Sequence, residues 1–187
     1  MNDPSMVTQQ ALDREAELDA LEAQVHEALR QAKRLGASDA EVHANTSQGL
    51  SVGVRLGDVE TVEHMQDRGI SVSVFFGRRK GMASSADLRP ESVTSCVEHA
   101  MDIARFTQDD PCNGLADPEL LATTQPDFDL WHPVAVDAEA AIERALACEA
   151  AGRADSRISN SEGAAFDAGL GLSVYGNSNG FTGRSSG

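Results

Sequence analysis

The stretch from Leu50 to Ala86 limits the fold more than any other part of this chain. "LSVGVRL" alternates strictly, with Leu50, Val52, Val54 and Leu56 on one face. Gly57-Asp58 reads as a two-residue turn. "VETVEHM" returns with a less regular pattern that suits a bulge. "QDRG" reads as a further turn. "ISVSVFF" then puts Ile70, Val72, Val74 and Phe76 on one face, with Ser71 and Ser73 on the other. "GRR" leads into "KGMASSA". Side chains of a strand alternate between faces, so each run has an oily side and a polar side. Turns this short leave no room for the crossovers that parallel strands need. The stretch therefore predicts an antiparallel meander whose oily face must be covered by helices. The fold class is α+β, an antiparallel meander sheet with helices packed on one face.

The helices are legible on either side. From Leu12 a stripe of Leu18, Leu21, Val25, Ala28, Ala32 and Leu35 recurs at helical spacing, and Gly36 is placed to end it. "AEVHAN", Ala40–Asn45, predicts a first strand. Pro90 suits a first helical position, and Val93, Cys96, Val97, Ala100 and Ala104 form the next stripe. The 107–136 connection then holds four of the six prolines. A connection of that length without its own elements tends to wrap the surface or touch a partner. Asp137 predicts an N-cap for a third, Ala-rich helix reaching about Ala151, with Gly152 beyond it. "SRISNSEGAAFDAGLGLSVYGNSNGF" returns to strands. Helix, strand, Ser-Gln-Gly or Ser-Glu-Gly, then strand occurs twice, which hints at an internal repeat. Residues 1–10 predict a flexible tail.

Charge narrows the function. The formal net charge of −15 disfavours general binding to nucleic acid, where Lys and Arg must replace counterions. Arg78-Arg79-Lys80, the one short basic run, reads as a solvated hairpin turn. No run is long and apolar enough for a membrane span, and the polar, acidic N-terminus has no apolar signal core, so the expected location is the cytoplasm. Cys96, Cys112 and Cys148 are scattered and share no metal-finger or C-x-x-C spacing, so they read as thiols.

Catalytic signatures are absent from the pattern. His26-Glu27 is the tempting pair, but a zinc protease helix needs a second His one turn later. "HEALRQ" supplies Arg30 at that position, and a guanidinium repels a metal ion. His43 and His64 fall in predicted strands, His99 on the second helix and His132 in the long connection, with nothing to bring two of them together. Ser84-Ser85 and Ser185-Ser186 read as polar turn or strand residues, because no G-x-S-x-G elbow surrounds them. No P-loop or dinucleotide fingerprint occurs. The expectation is no catalytic, cofactor-binding or metal-ligating residue in this chain. "GLGLSVYG" reads as a strand with small residues on one face, which could accept a partner strand or an extended peptide.

The chain resembles a known family on specific residues. "VETVE", "GISVSVFFGRRKGMASSADL", "DIARFTQDDPCNGLADPELLA", "FDLWHP" and "RISNSEGAAFDAGLGLSVYGNSNGF" resemble the TldD/PmbA family, once named modulators of DNA gyrase. The "ARFTQDDPCNGLAD" segment and the "NSEG…YGNSNG" block favour its PmbA (TldE) branch. The likeness runs from about Leu12 to Gly187 and is to the N-terminal part of longer family members. It implies residues 11–187 as an α+β N-terminal domain, cut before a C-terminal domain. The last strand, Leu170–Val174, would then lack its return partner and be left exposed. The resemblance also implies a cytosolic heterodimer with a TldD-like catalytic subunit, with zinc held by that partner and none by this chain. Unfolded peptides, among them microcin precursors and an antitoxin, are its implied substrates. Self-association is a further expected contact. The competing readings are a non-enzymatic binding module acting on gyrase or another protein, and an autonomous Ser–His–Asp hydrolase.

Overall fold

The computed structural model describes residues 13–187. The tail expected at 1–10 lies outside the described residues. In chain order the elements are α1 (Arg14–Arg34), β1 (Asp39–Arg55), β2 (Asp58–Phe76), β3 (Arg79–Ser85), α2 (Pro90–Phe106), α3 (Ala138–Arg153), β4 (Ala164–Asn177) and β5 (Thr182–Ser186). One 3-10 turn, Pro118–Leu120, interrupts the long connection. The strands form a five-stranded sheet in the order β3-β2-β1-β4-β5.

The chain divides into two compact units. The first, here the two-helix unit, comprises Asp13–Thr46, Asp67–Trp131 and Gly171–Gly187. Its helices form because apolar residues recur on one side and caps close the ends. Asp13 accepts from the Ala16 amide at the start of α1. Gly36, at φ +93°, closes it while Ala37 donates back to Ala32. The side chains of Leu18, Leu21 and Val25 of α1, and of Val93, Val97 and Met101 of α2, are almost wholly buried. They meet a sheet face formed by Val42, Ile70, Val72, Val74, Leu172 and Val174. α1 comes so close to β4 that a Cβ on Gly176 would lie 2.6 Å from Val25. α2 comes closer still to β3, where a Cβ on Gly81 would lie 2.0 Å from the Ala100 carbonyl oxygen. The opposite face of this sheet segment carries Phe75, also buried, with the Lys80 ammonium over its ring. The alternation of "ISVSVFF" hid Phe75, since its parity matches the serines.

The second, here the hairpin unit, comprises Ser47–Gln66 and His132–Leu170. Its core is small: Leu50, Val52 and Val54 of β1 against Ala141 and Ala145 of α3, with Ile142, Leu146 and Phe166 partly buried beside them. Asp137 caps α3 by accepting from the Ala140 amide at 2.7 Å, as its position in the sequence predicted.

Several boundaries differ from the sequence expectation, each for a local reason. "QDRG" does not turn: β2 runs unbroken from Asp58 to Phe76. Its Gly69 sits 3.4 Å, by a virtual Cβ, from the Ser85 carbonyl, so the glycine serves close strand approach. "AEVHAN" and "LSVGVRL" are one strand, because Thr46–Gly49 stays extended. Ser47–Gly49 thus lies inside β1, whereas Ser161–Gly163 precedes β4, so the two Ser-x-Gly segments of the suggested repeat are placed differently. The stretch Arg157–Asn160 is likewise not a strand. The β1–β2 turn sits one residue earlier than expected, with Leu56 at φ +54° and Gly57 at φ +91°. α3 passes through Gly152 to Arg153. Finally, the return strand exists. β5 pairs antiparallel with β4 from Leu172↔Ser186 to Gly176↔Thr182. "TGRSS" has little apolar signal, and only its pairing reveals it as a strand.

Candidate functional site

In the two-helix unit, β5 is held from both sides. On the α1 side, the Arg184 guanidinium meets Glu15, Asp19 and Glu22. Its own pKa rises further, chiefly through the hydrogen bond to Glu22 and then that to Asp19. His26 Nε2 lies 3.0 Å from the Thr182 hydroxyl. On the strand's outer edge, Gln125 of the long connection mimics a paired strand. Its Oε1 accepts from the Arg184 amide at 2.5 Å and its Nε2 donates to the Arg184 carbonyl. The Arg14 guanidinium lies 5.7 Å from the centre of the Trp131 ring.

Beneath that connection lies a cleft of about 330 Å³. His43, Ser173, Tyr175, Phe181, Gln125 and Ser185 line it. The Tyr175 hydroxyl donates to Glu41 at 3.2 Å, and Lys80 approaches the other Glu41 oxygen at 3.5 Å. Burial pushes the Tyr175 phenol up; the Glu41 carboxylate adds to this, and a hydrogen bond from Asn177 works against it. A phenol so placed stays protonated and acts as a hydrogen-bond donor. The cleft can seat a small side chain, but it pairs no nucleophile with a base.

The hairpin unit is organised by one carboxylate. Glu149 of α3 is 4 % exposed and accepts from the Leu56 amide at 2.7 Å and the Gly57 amide at 2.9 Å. Its pKa is lowered, first by a hydrogen bond from the Ser161 hydroxyl and then by the two turn amides and Arg153, against the opposing effect of burial. The clamp holds Leu56 in its left-handed conformation, which a non-glycine residue adopts at some cost. No periodicity announces it, because an inward-facing Glu on a helix looks like any surface Glu.

The singled-out residues are dispersed. His26 spends its Nε2 on Thr182, and Arg30, one turn on, bonds Glu27 at 2.7 Å. A guanidinium tied to the neighbouring carboxylate does not fit a zinc centre, so no chemical step is derived through a metal here. His64 is exposed on β2 and His99 on α2, and His132 lies in the other unit's part of the connection. His43 and Ser185 do share the cleft, without a hydrogen bond between them. Ser84 and Ser85 lie on β3, where the Ser85 hydroxyl donates to the Asp87 carbonyl. Cys96 is buried, which pushes its thiol up, while Cys112 and Cys148 are exposed; all three are free thiols. Among the described residues no group of three or more His, Cys, Asp or Glu is arranged to hold a metal ion. None of their helices is long and apolar enough to cross a membrane. "GLGLSVYG" is β4, and its Leu172–Gly176 part has β5 on one side and β1 on the other, so that part does not accept a further strand.

Comparison with known proteins covers most of the chain. Residues 40–104 match the model described as PmbA/TldA metallopeptidase domain 1, and residues 131–187 match the PmbA/TldA metallopeptidase central domain. The chain is 47 % identical over 168 residues to the Metalloprotease PmbA of Escherichia coli O157:H7, covering 89 % of this chain and 37 % of that protein. It is 45 % identical over 154 residues to the Metalloprotease PmbA homolog of Haemophilus influenzae, covering 82 % of this chain and 34 % of the homolog. The chain therefore spans about a third of the length of these relatives. Among solved structures, a candidate modulator of DNA gyrase from Bacteroides thetaiotaomicron superposes with a TM-score of 0.71 at 25 % identity, over 88 % of this chain and 38 % of its own. TldE from Thermococcus kodakarensis superposes with a TM-score of 0.70 over 88 % of this chain and 37 % of its own. At 16 % identity it speaks for the fold alone.

Proposed function

The chain belongs to the PmbA/TldD family, and on that premise we propose that it is the PmbA-type part of a zinc metalloprotease complex. In this reading the zinc and the hydrolytic groups sit on a TldD-type partner, and this chain contributes framework and contact surface. Its substrates are unfolded peptides, with microcin precursors and antitoxins as the kinds implied by the family resemblance, and it works in the cytoplasm. The observation that carries the reading is the 47 % identity to a protein named Metalloprotease PmbA, spread over 89 % of this chain. The donor chemistry supports the non-catalytic role: the one His-Glu pair on a helix is followed by a salt-bridged arginine rather than a second imidazole.

The test mixes this protein, a TldD-type subunit and an unfolded peptide, with and without a zinc chelator. Cleavage should need both proteins and stop on chelation. Cleavage by this protein alone, insensitive to chelator, would contradict the reading.

A second reading is supported by the gyrase-modulator description of the Bacteroides structure. There the chain is a binding module for a protein partner. The net charge of −15 favours a basic protein surface over DNA. Retention of gyrase by the immobilised protein, without any effect on proteolysis, would favour it.

A further inference from the structure

We propose that the outer edge of β2 in the hairpin unit, Asp58–Gln66, binds an extended basic polypeptide segment as an added strand. The inference concerns binding at this edge and goes beyond the proteolytic role proposed above. β3 pairs with β2 only from Ile70 to Phe76, and β1 is the other neighbour. Among the described residues, these nine residues of regular strand therefore have a partner on one side only, and all nine are exposed. Their outward N–H and C=O groups are already in line for a further strand.

Proteins usually blunt such an edge with proline, lysine or a short length. Asp58–Gln66 contains no proline, lysine or arginine. It instead exposes three large apolar side chains. Val59 and Met65 are 43 % and 51 % exposed, and Val62, pointing to the opposite face, is 41 % exposed. Alternate residues of an incoming strand would find apolar contact on both faces.

Charge selects the occupant. Asp58, Glu60 and Glu63 lie along this edge, and among the described residues none of them is in an ion pair. A second copy of the chain, laid edge to edge, would bring carboxylates against carboxylates, which is unfavourable across strands. A segment carrying Lys or Arg at alternate positions would neutralise Asp58 and Glu60 on one face while its intervening residues cover Val59 and Met65 on the other.

Fluorescence anisotropy on the whole chain tests this with a labelled nine-residue peptide of alternating Lys with Val or Thr. Two controls leave the protein untouched: the same peptide with Glu for Lys, and the Lys peptide N-methylated at alternate backbone nitrogens in either register. The Lys peptide should bind, the Glu peptide at least about tenfold more weakly, and N-methylation in one register should cost about as much. The double substitution Asp58→Lys with Glu60→Lys, both on one face, should reverse the preference and recruit the Glu peptide, which an unfolded variant would not do. Failure of the Lys peptide to bind would overturn the inference. So would equal binding of both N-methylated peptides, which means charge without strand pairing. Sedimentation showing the chain paired with itself through this edge would overturn the choice of occupant. Because no cleavage is read, none of these outcomes bears on the proposed metalloprotease role.

Discussion

The two-helix unit and the hairpin unit draw on the same strands but hold them by different means. In the first, Leu21, Val25, Val97 and Met101 from two helices fill the space over Val42, Val72 and Val74. In the second, a single helix offers Ala141 and Ala145 to Leu50, Val52 and Val54. An alanine side chain removes little apolar area from water, so each contact stabilises less. What α3 lacks in apolar area it partly makes up with the Glu149 clamp on the β1–β2 turn. The lesson is that strand continuity does not confer uniform stability. Local stability follows the density of buried side chains around each stretch.

The comparison can be strained from either side. The largest effect belongs to Gly81→Val, whose Cβ would fall 2.0 Å from a backbone carbonyl of α2. It should destabilise the two-helix unit by about 3 kcal/mol or more, read as a fall in the urea midpoint. Leu21→Ala, at a site 2 % exposed, should cost about 3 kcal/mol by leaving a cavity that two packed helices cannot close. Leu50→Ala should cost less, about 2 kcal/mol, since its alanine neighbours can shift toward the gap. Equal costs for Leu21→Ala and Leu50→Ala would break the comparison.

Smaller effects sharpen it. Glu149→Gln should speed amide exchange at Leu56 and Gly57 about tenfold, with exchange in α1 unchanged. The pH dependence has a definite sign. Glu149 titrates below the ordinary glutamate value of 4.5, so the clamp is intact above that value and is lost as pH falls through its lowered pKa. The Leu56 and Gly57 amide resonances should move in one step in that acid range, whereas a step at neutral pH would exclude the clamp. Arg184→Ala is the mildest change, about 1 kcal/mol or less, and the difference should shrink in high salt because two of its three acidic partners, Glu15 and Asp19, are largely solvated.

The sequence carried the meander, the three helices and several of their ends, because these follow from periodicity and from Gly36, Pro90 and Asp137; the Asp13 cap was not read from it. It did not carry the length of β1 and β2. Gln66–Gly69 has the composition of a turn but the packing of a strand, and only Gly69 beside Ser85 explains it. β5 stayed hidden because Thr182–Ser186 is polar and its pairing depends on a distant strand and on Gln125. The open β2 edge was equally unreadable, since it depends on where β3 stops. Phe75, Glu149 and the cleft at His43 arise from contacts between residues far apart in sequence, which no spacing rule encodes.

Hydrogen exchange along β1 tests the central claim most directly. If buried packing sets local stability, the amides of Ala40–Thr46 should exchange far more slowly than those of Leu50–Arg55, within one unbroken strand. Uniform protection from Ala40 to Arg55 would contradict it.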